Sequence, residues 1–119
     1  MTNKKRSPIT THVLDISRGK PAVGISVLLE MQISKSKWKI LKRAATDADG
    51  RAVSLMKVGS RLKTGVYRLT FETAKYFKAL GAERFYPLVT ISFEVKETTH
   101  HYHVPLLLSP YGYSTYRGS

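Results

Sequence analysis

Residues 103–119 read HVPLLLSPYGYSTYRGS, and this stretch decides the fold. Side chains alternate between the two faces of a strand, so Val104, Leu106 and Leu108 form one continuous apolar face. That face predicts the core side of a β-sheet. His103 lies on the opposite face and is therefore expected to point away from the core of its own domain, toward solvent or a partner subunit.

The next residues, Ser109–Gly112 (SPYG), predict a hairpin turn, because Pro and Gly favour chain reversals between two strand-like runs. The chain then returns along the preceding strand and brings the segment Tyr116–Ser119 beside His103. We expect these C-terminal residues to continue as a regular strand to the end of the chain.

Runs rich in β-branched and aliphatic residues predict the remaining strands, with turn-forming clusters at 18–21 and 47–50 between them. The predicted strands are Thr11–Ser17, Gly24–Ser34, Lys37–Thr46, Val66–Glu72, Leu88–Lys96, His101–Ser109 and Tyr113–Ser119. The segment Thr73–Leu80 (TAKYFKAL) predicts one short helix with Thr73 as its N-cap and Gly81 at its end. The pattern is that of an all-β fold with one short helix, a seven- to eight-stranded β-sandwich.

Length and composition agree with one such domain. The chain has 119 residues, of which 42% are hydrophobic, which predicts a single domain over residues 8–119 after a loose basic arm at residues 1–7. The absence of cysteine excludes disulfides, thiol catalysis and thiolate metal sites. No apolar run is long enough to span a bilayer, so no membrane association and a cytoplasmic location are expected.

The excess of basic residues raises nucleic-acid binding as an alternative. The formal net charge is +12, and such a charge attracts phosphates with little regard for sequence. The basic residues are scattered, however, and the one dense stretch, Lys35–Arg43, contains interleaved Trp38, Ile40 and Leu41, as a strand with a solvated outer face would. We expect no nucleic-acid partner, since a positive potential also attracts small anionic substrates.

Several residues are candidates for chemistry, although each alone has an ordinary structural explanation. His12 can be a structural residue of a strand, and Arg51 can be a solvated charge after a turn. His100 and His101 can be exposed residues at a strand end without a functional role. The chain has no Gly-rich phosphate loop, no GxSxG turn and no paired histidines at helical spacing. His101 and His103 alternate and could face one metal ion, but no acidic or cysteine ligand is near in sequence, so no metal is expected.

Three segments together resemble one known family. They are Thr11–Asp15 (THVLD), Asp49–Arg51 (DGR) and the ending 103–119, and they resemble the 5-hydroxyisourate hydrolases. The terminal Tyr-Arg-Gly-Ser is that family's hallmark and is absent from the hormone-carrying transthyretins that share its fold. The resemblance spans nearly the whole chain.

This resemblance implies a transthyretin-like sandwich that assembles as a homotetramer with active sites at the dimer–dimer interface. It implies hydrolysis of 5-hydroxyisourate to 2-oxo-4-hydroxy-4-carboxy-5-ureidoimidazoline in urate breakdown, without a cofactor. The catalytic residues it implies are His12, Arg51, His103 and Ser119, and the substrate-binding residues are His12, Arg51 and Tyr116.

Chemistry suggests a role for each group. His103 is our first choice for the general base that activates water, helped by the hydroxyl or carboxylate of Ser119. Arg51 suits an anionic substrate and the charge that develops on a carbonyl oxygen. The division of work between His12 and His103 stays open at this point. The rival function is a transthyretin-like carrier of a small hormone, and peroxisomal import also stays open, although no Ser-Lys-Leu ending is present.

Overall fold

Two sheets pack face to face in this computed structural model, which describes residues 6–119. The described residues form nine strands and one helix. In chain order they are β1 (Ile9–Asp15), β2 (Lys20–Pro21), β3 (Ser26–Ser34), β4 (Lys37–Ala45), β5 (Arg51–Ala52), β6 (Gly65–Phe71), α1 (Thr73–Ala79), β7 (Val89–Val95), β8 (Tyr102–Ser109) and β9 (Gly112–Thr115). One sheet has the order β2-β1-β8-β9 with β5 also paired to β1, and the other has the order β4-β3-β6-β7.

The core lies between the sheets and is filled by alternate residues of the long strands. In β8, Val104, Leu106 and Leu108 are buried, as their alternation predicts. Leu29 and Phe71 meet them from the second sheet and are fully buried. The all-β sandwich with one short helix is therefore confirmed.

The site-bearing sheet is organised by a parallel pairing of β1 with β8, whereas every other strand pair among the described residues is antiparallel. Thr10 lies opposite His103, and His12 lies opposite Pro105. Directly opposed residues share a face of the sheet. His12 and His103 therefore lie together on the outer face, while Val13 is fully buried in the core.

The strand count exceeds the expected seven or eight because the sequence around β2 and β5 predicts turns and not strands. Each is only two residues long and pairs with one end of β1. Their backbone hydrogen bonds, not a side-chain pattern, make them strands. The predicted strand over Lys37–Thr46 exists as β4, but a register shift opposite Leu29 and Glu30 breaks its alternation and leaves Ile40 49% exposed.

The predicted helix is present, but its predicted N-cap is wrong. Glu72 is the N-cap and makes no capping side-chain hydrogen bond. Thr73 is instead fully buried as the first helical residue, where its hydroxyl donates to the carbonyl of Tyr86. Gly81 ends the helix as expected, with a φ of 70°. No helix within residues 6–119 is long and apolar enough to cross a membrane.

Both chain ends also differ from expectation. The regular C-terminal strand stops at Thr115, and Gly118 returns to the sheet in an isolated bridge to His103. Between them the guanidinium of Arg117 lies over the ring of Tyr102, which draws the chain out of the ladder. At the other end, the prediction that Ser7 belongs to the loose arm is wrong, because Ser7 is buried and its hydroxyl donates to the carbonyl of Ile9. Residues 1–5 of that arm lie outside the described residues.

A tight turn before β5 fixes the position of Arg51. Gly50 has a φ of 77°, which only glycine adopts without strain. Its carbonyl accepts a hydrogen bond from the backbone N–H of Val13, so the turn is tied to the middle of β1. A Cβ atom at Gly50 would lie 2.5 Å from the carbonyl oxygen of Val13, a contact that requires the turn to move.

We expect Gly50→Ala to destabilise the protein by about 2–4 kcal/mol, because it adds a clash with Val13 to the strain of a positive φ. Gly19→Ala is the matched control, since Gly19 also has a positive φ of 66° but has nothing within 4 Å of the added Cβ. The control should cost only about 1 kcal/mol. Urea unfolding measures both free energies, and equal losses would contradict the assigned contact.

Candidate active site

The outer face of the β1–β8 sheet brings together three of the predicted site residues. Arg51 of β5 lies opposite His12 of β1, and His103 of β8 lies opposite Thr10, two residues earlier in β1. Opposed residues lie about 5 Å apart and diagonal neighbours about 7–8 Å apart. Two imidazoles and a guanidinium from three adjacent strands thus form one cluster, which we call the outer-face cluster.

The hydrogen bond of His12 shows which of its ring nitrogens carries a hydrogen. Its Nε2 lies 2.9 Å from the carbonyl oxygen of Asp49. A carbonyl oxygen can only accept, so Nε2 carries the hydrogen and donates it. When His12 is neutral, its Nδ1 therefore presents a lone pair.

The turn that precedes Arg51 is held by the carboxylate of Asp47. One oxygen of Asp47 accepts the backbone N–H groups of Asp49 and Arg51, at 2.9 and 3.0 Å. These hydrogen bonds, from Arg51 first and then Asp49, together with the positive charges of Arg51 and His12, lower the pKa of Asp47. The ionised carboxylate fixes the backbone of Arg51, while the exposed guanidinium stays free to meet a ligand.

The ring of His103 is partly covered and lies among cations. Its Nδ1 is 2.8 Å from the hydroxyl oxygen of Thr10. Burial is the main cause that lowers the pKa of His103 below its usual 6.5, and the charges of Arg51, His12 and Arg6 lower it further. His103 is therefore neutral at pH 7, as a general base must be before it takes a proton.

The C-terminal segment approaches His103 through a glycine. The backbone N–H of Gly118 donates to the carbonyl of His103 at 2.8 Å, which confirms that the hairpin returns the chain end to this residue. A Cβ atom at Gly118 would lie 2.6 Å from Cδ2 of the His103 ring and 3.3 Å from Pro105. Only glycine lets the chain pass this close to the imidazole.

The other two C-terminal candidates are Tyr116 and Ser119. Ser119 is exposed, directly after Gly118. Tyr116 is 57% exposed and borders a cavity of about 230 Å³ whose other walls include Tyr102 and Arg117. Within residues 6–119, no hydrogen bond or ring contact joins Tyr116 or Ser119 to His12, Arg51 or His103.

Two residues beside His103 were missed from the sequence. Thr10 is buried, and its hydroxyl lies 3.0 Å from Nε2 of His101 as well as against His103. His101, expected to be without a role, stacks on His103 with ring centroids 6.3 Å apart. The alternation of His101 and His103 was a usable signal, because it places both rings on one face of β8. Within the described residues, no group of three or more His, Cys, Asp or Glu side chains is placed to hold a metal ion.

Comparison with known proteins gives a consistent result. Residues 9–118 match the model of the HIUase/Transthyretin family. The chain is 45% identical over 114 residues to a Mus musculus protein named 5-hydroxyisourate hydrolase, with 95% of this chain and 96% of the relative covered. The structure of Klebsiella pneumoniae 5-hydroxyisourate hydrolase matches with a TM-score of 0.82 and 38% identity, over 93% of this chain and 97% of that one.

The same fold occurs in a protein whose structure contains bound thyroxine. Sea bream transthyretin in complex with thyroxine matches with a TM-score of 0.87 and 28% identity, over 94% of this chain and 95% of that one. Backbone similarity alone therefore does not distinguish a hydrolase from a protein that binds thyroxine. The side chains of the outer-face cluster and the C-terminal residues must do so.

Proposed function

Since this chain belongs to the HIUase/transthyretin family, we propose that it is a 5-hydroxyisourate hydrolase whose reaction takes place on the outer-face cluster. The observation that carries this proposal is the convergence of His12, Arg51 and His103 beside Gly118 of the terminal Tyr-Arg-Gly-Ser. Relatives with the hydrolase name match at 45% identity over almost the whole chain. A polar, cationic face suits a small oxidised purine better than a large apolar hormone.

The reaction adds water across an acyl C–N bond of the six-membered ring. We assign His103 as the general base: its neutral imidazole takes a proton from water, and the hydroxide oxygen attacks the ring carbonyl carbon. The C–N bond then breaks, and the protonated His103 returns the proton to the departing nitrogen. The product is 2-oxo-4-hydroxy-4-carboxy-5-ureidoimidazoline, and no cofactor takes part.

The remaining residues bind and orient the substrate. The forked guanidinium of Arg51 holds the anionic ring and stabilises the negative charge that forms on the carbonyl oxygen. His12 accepts a substrate N–H at Nδ1, because its Nε2–H is already used by Asp49. Ser119, the neighbour of Gly118, helps to orient the water, and Tyr116 contacts the purine ring.

The site lies on an open sheet face, so we propose that a facing copy closes it in a homotetramer with active sites at the dimer–dimer interface. Half-buried Leu14 and Leu107 on this face provide apolar surface for such contacts. We place the protein in the cytoplasm.

Analytical ultracentrifugation should give a mass of four chains, and a stable monomer would contradict the proposed tetramer.

The proposed reaction predicts a large loss of activity in His103→Asn. The wild-type protein should accelerate the ultraviolet absorbance decay of freshly generated 5-hydroxyisourate, which a carrier would not do. Removal of the base should lower kcat by about 100-fold or more. The exposed His100 provides the matched control, and His100→Asn should change kcat less than twofold.

The pH profile of the wild type checks the same assignment. His103 acts in its neutral form and its pKa lies below 6.5, so kcat/KM should stay high as the pH falls to 6.5 and decline only below it. For the His103→Asn variant described above, a loss of kcat of less than threefold would refute the role of His103 as the base.

Gly118→Ala should lower kcat by about tenfold to 100-fold, because the added Cβ displaces either the His103 ring or the chain end. Gly112→Ala in the same hairpin is the control, since its nearest atom would be Oγ of Ser109 at an ordinary 3.9 Å. Steady-state kinetics measures both variants. Equal activity of the two would show that close approach to His103 is not required.

A further inference from the structure

The hydroxyl group of Thr10 lies between two imidazoles. Its oxygen is 2.8 Å from Nδ1 of His103 and 3.0 Å from Nε2 of His101. A hydroxyl has a single hydrogen, so when both rings are neutral it donates to one and accepts from the other. The direction of the two hydrogen bonds that join His103, Thr10 and His101 therefore decides which nitrogen of His103 carries its hydrogen.

The surroundings of His103 favour one direction. Besides the hydroxyl contact at Nδ1, a weaker backbone hydrogen bond with Thr10 favours the protonated form of the His103 ring. A carbonyl oxygen cannot donate, so a hydrogen on the ring nitrogen that faces Thr10 is stabilised by two acceptors. A bare Nδ1 would instead face the lone pairs of that carbonyl. Nδ1 is thus the protonated nitrogen, and Nε2 keeps a free lone pair.

His101 completes the chain as an acceptor. Burial first, and then the charges of Arg6, His103 and Arg117, lower the pKa of His101 to about 4. A neutral imidazole can accept the Thr10 hydrogen at Nε2, whereas a protonated one could only donate. Because Nδ1 of His103 directs its hydrogen at the Thr10 oxygen, the Thr10 hydroxyl turns its own hydrogen toward Nε2 of the neutral His101, which can accept it.

The ring of His101 has one buried nitrogen without a hydrogen-bond partner among residues 6–119. That nitrogen is Nδ1, and it carries the hydrogen when Nε2 of His101 accepts. An unpaired buried polar atom destabilises a fold, and its presence in a native structure calls for an explanation. A role in setting the state of His103 supplies one.

We propose that Thr10 and His101 are positioning residues that hold the hydrogen of His103 on Nδ1 and so keep Nε2 available as the base. This inference rests on the proposed function, in which Nε2 takes a proton from water and later returns it to the departing nitrogen. Throughout that cycle the Nδ1 hydrogen stays on His103, directed at Thr10. Around the His103 ring lie Thr10 and His12 of β1, Arg51 of β5, Gly118 and Arg6.

Substitutions at Thr10 test the proposal. Thr10→Val keeps the shape of the side chain but removes the hydroxyl, and it should lower kcat by about tenfold or more with less than a twofold change in KM. Thr10→Ser restores the hydroxyl and should recover at least half of the wild-type kcat. The control is Thr11→Val in the same strand, because the Thr11 hydroxyl donates to the carbonyl of Val104 and faces the core. It should leave kcat unchanged.

A second pair of variants tests His101 in the same way. His101→Gln places a side-chain oxygen near the position of Nε2, where it can accept the Thr10 hydrogen, so it should retain most of the activity. His101→Leu has no acceptor and should lower kcat about as much as Thr10→Val. Equal activity of all four variants and the wild type would overturn the proposal.

A readout without substrate separates this proposal from the proposed function. Long-range ¹H–¹⁵N NMR of the uniformly ¹⁵N-labelled protein at pH 7.5 reports which ring nitrogen of each histidine carries hydrogen. We expect His103 to be protonated at Nδ1 in the wild type and in Thr10→Ser, and to shift toward Nε2 in Thr10→Val. An Nε2–H form in the wild type would overturn the proposal. Failure of the wild type to hydrolyse 5-hydroxyisourate would refute the proposed function, while this NMR result would still test the hydrogen-bond chain.

Discussion

The parallel pairing of β1 with β8 is the constraint on which the site depends. It joins residues about ninety positions apart in the chain and sets Thr10 opposite His103. A shift of one residue would turn His12 and Thr10 into the core and bring Val13 to the surface. The register is held because Val13 and Leu106 are fully buried against the second sheet, so core packing also fixes the geometry of the imidazoles.

Electrostatics gives this geometry its chemical character. The cluster combines a guanidinium with two imidazoles, and the whole chain carries a formal net charge of +12. Burial first, and then the nearby positive charges, lower the pKa values of His103 and His101, so both remain neutral at pH 7. The same positive field attracts an anionic substrate. Burial keeps the base neutral with the help of the same positive charges that attract the anion.

Local patterns predicted most of the fold. The alternation in β8 identified the core face, the Ser109–Gly112 turn identified the hairpin, and both are confirmed. The alternation of side chains along β1 and β8 also predicted that His12 and His103 point away from the core. The parallel register could not be predicted, because it depends on packing between distant segments. For the same reason Thr10, an ordinary strand threonine in sequence, gave no sign of its place between two imidazoles.

Substrate binding is proposed where Arg51, His12 and His103 converge on the outer sheet face. The most direct measurement is a crystal structure of the assembled protein grown with urate, whose ring system is close to that of the substrate. We expect ordered urate about 3 Å from the Arg51 guanidinium and from Nε2 of His103. Urate bound elsewhere, such as in the cavity beside Tyr102 and Arg117, with this face empty would contradict the claim.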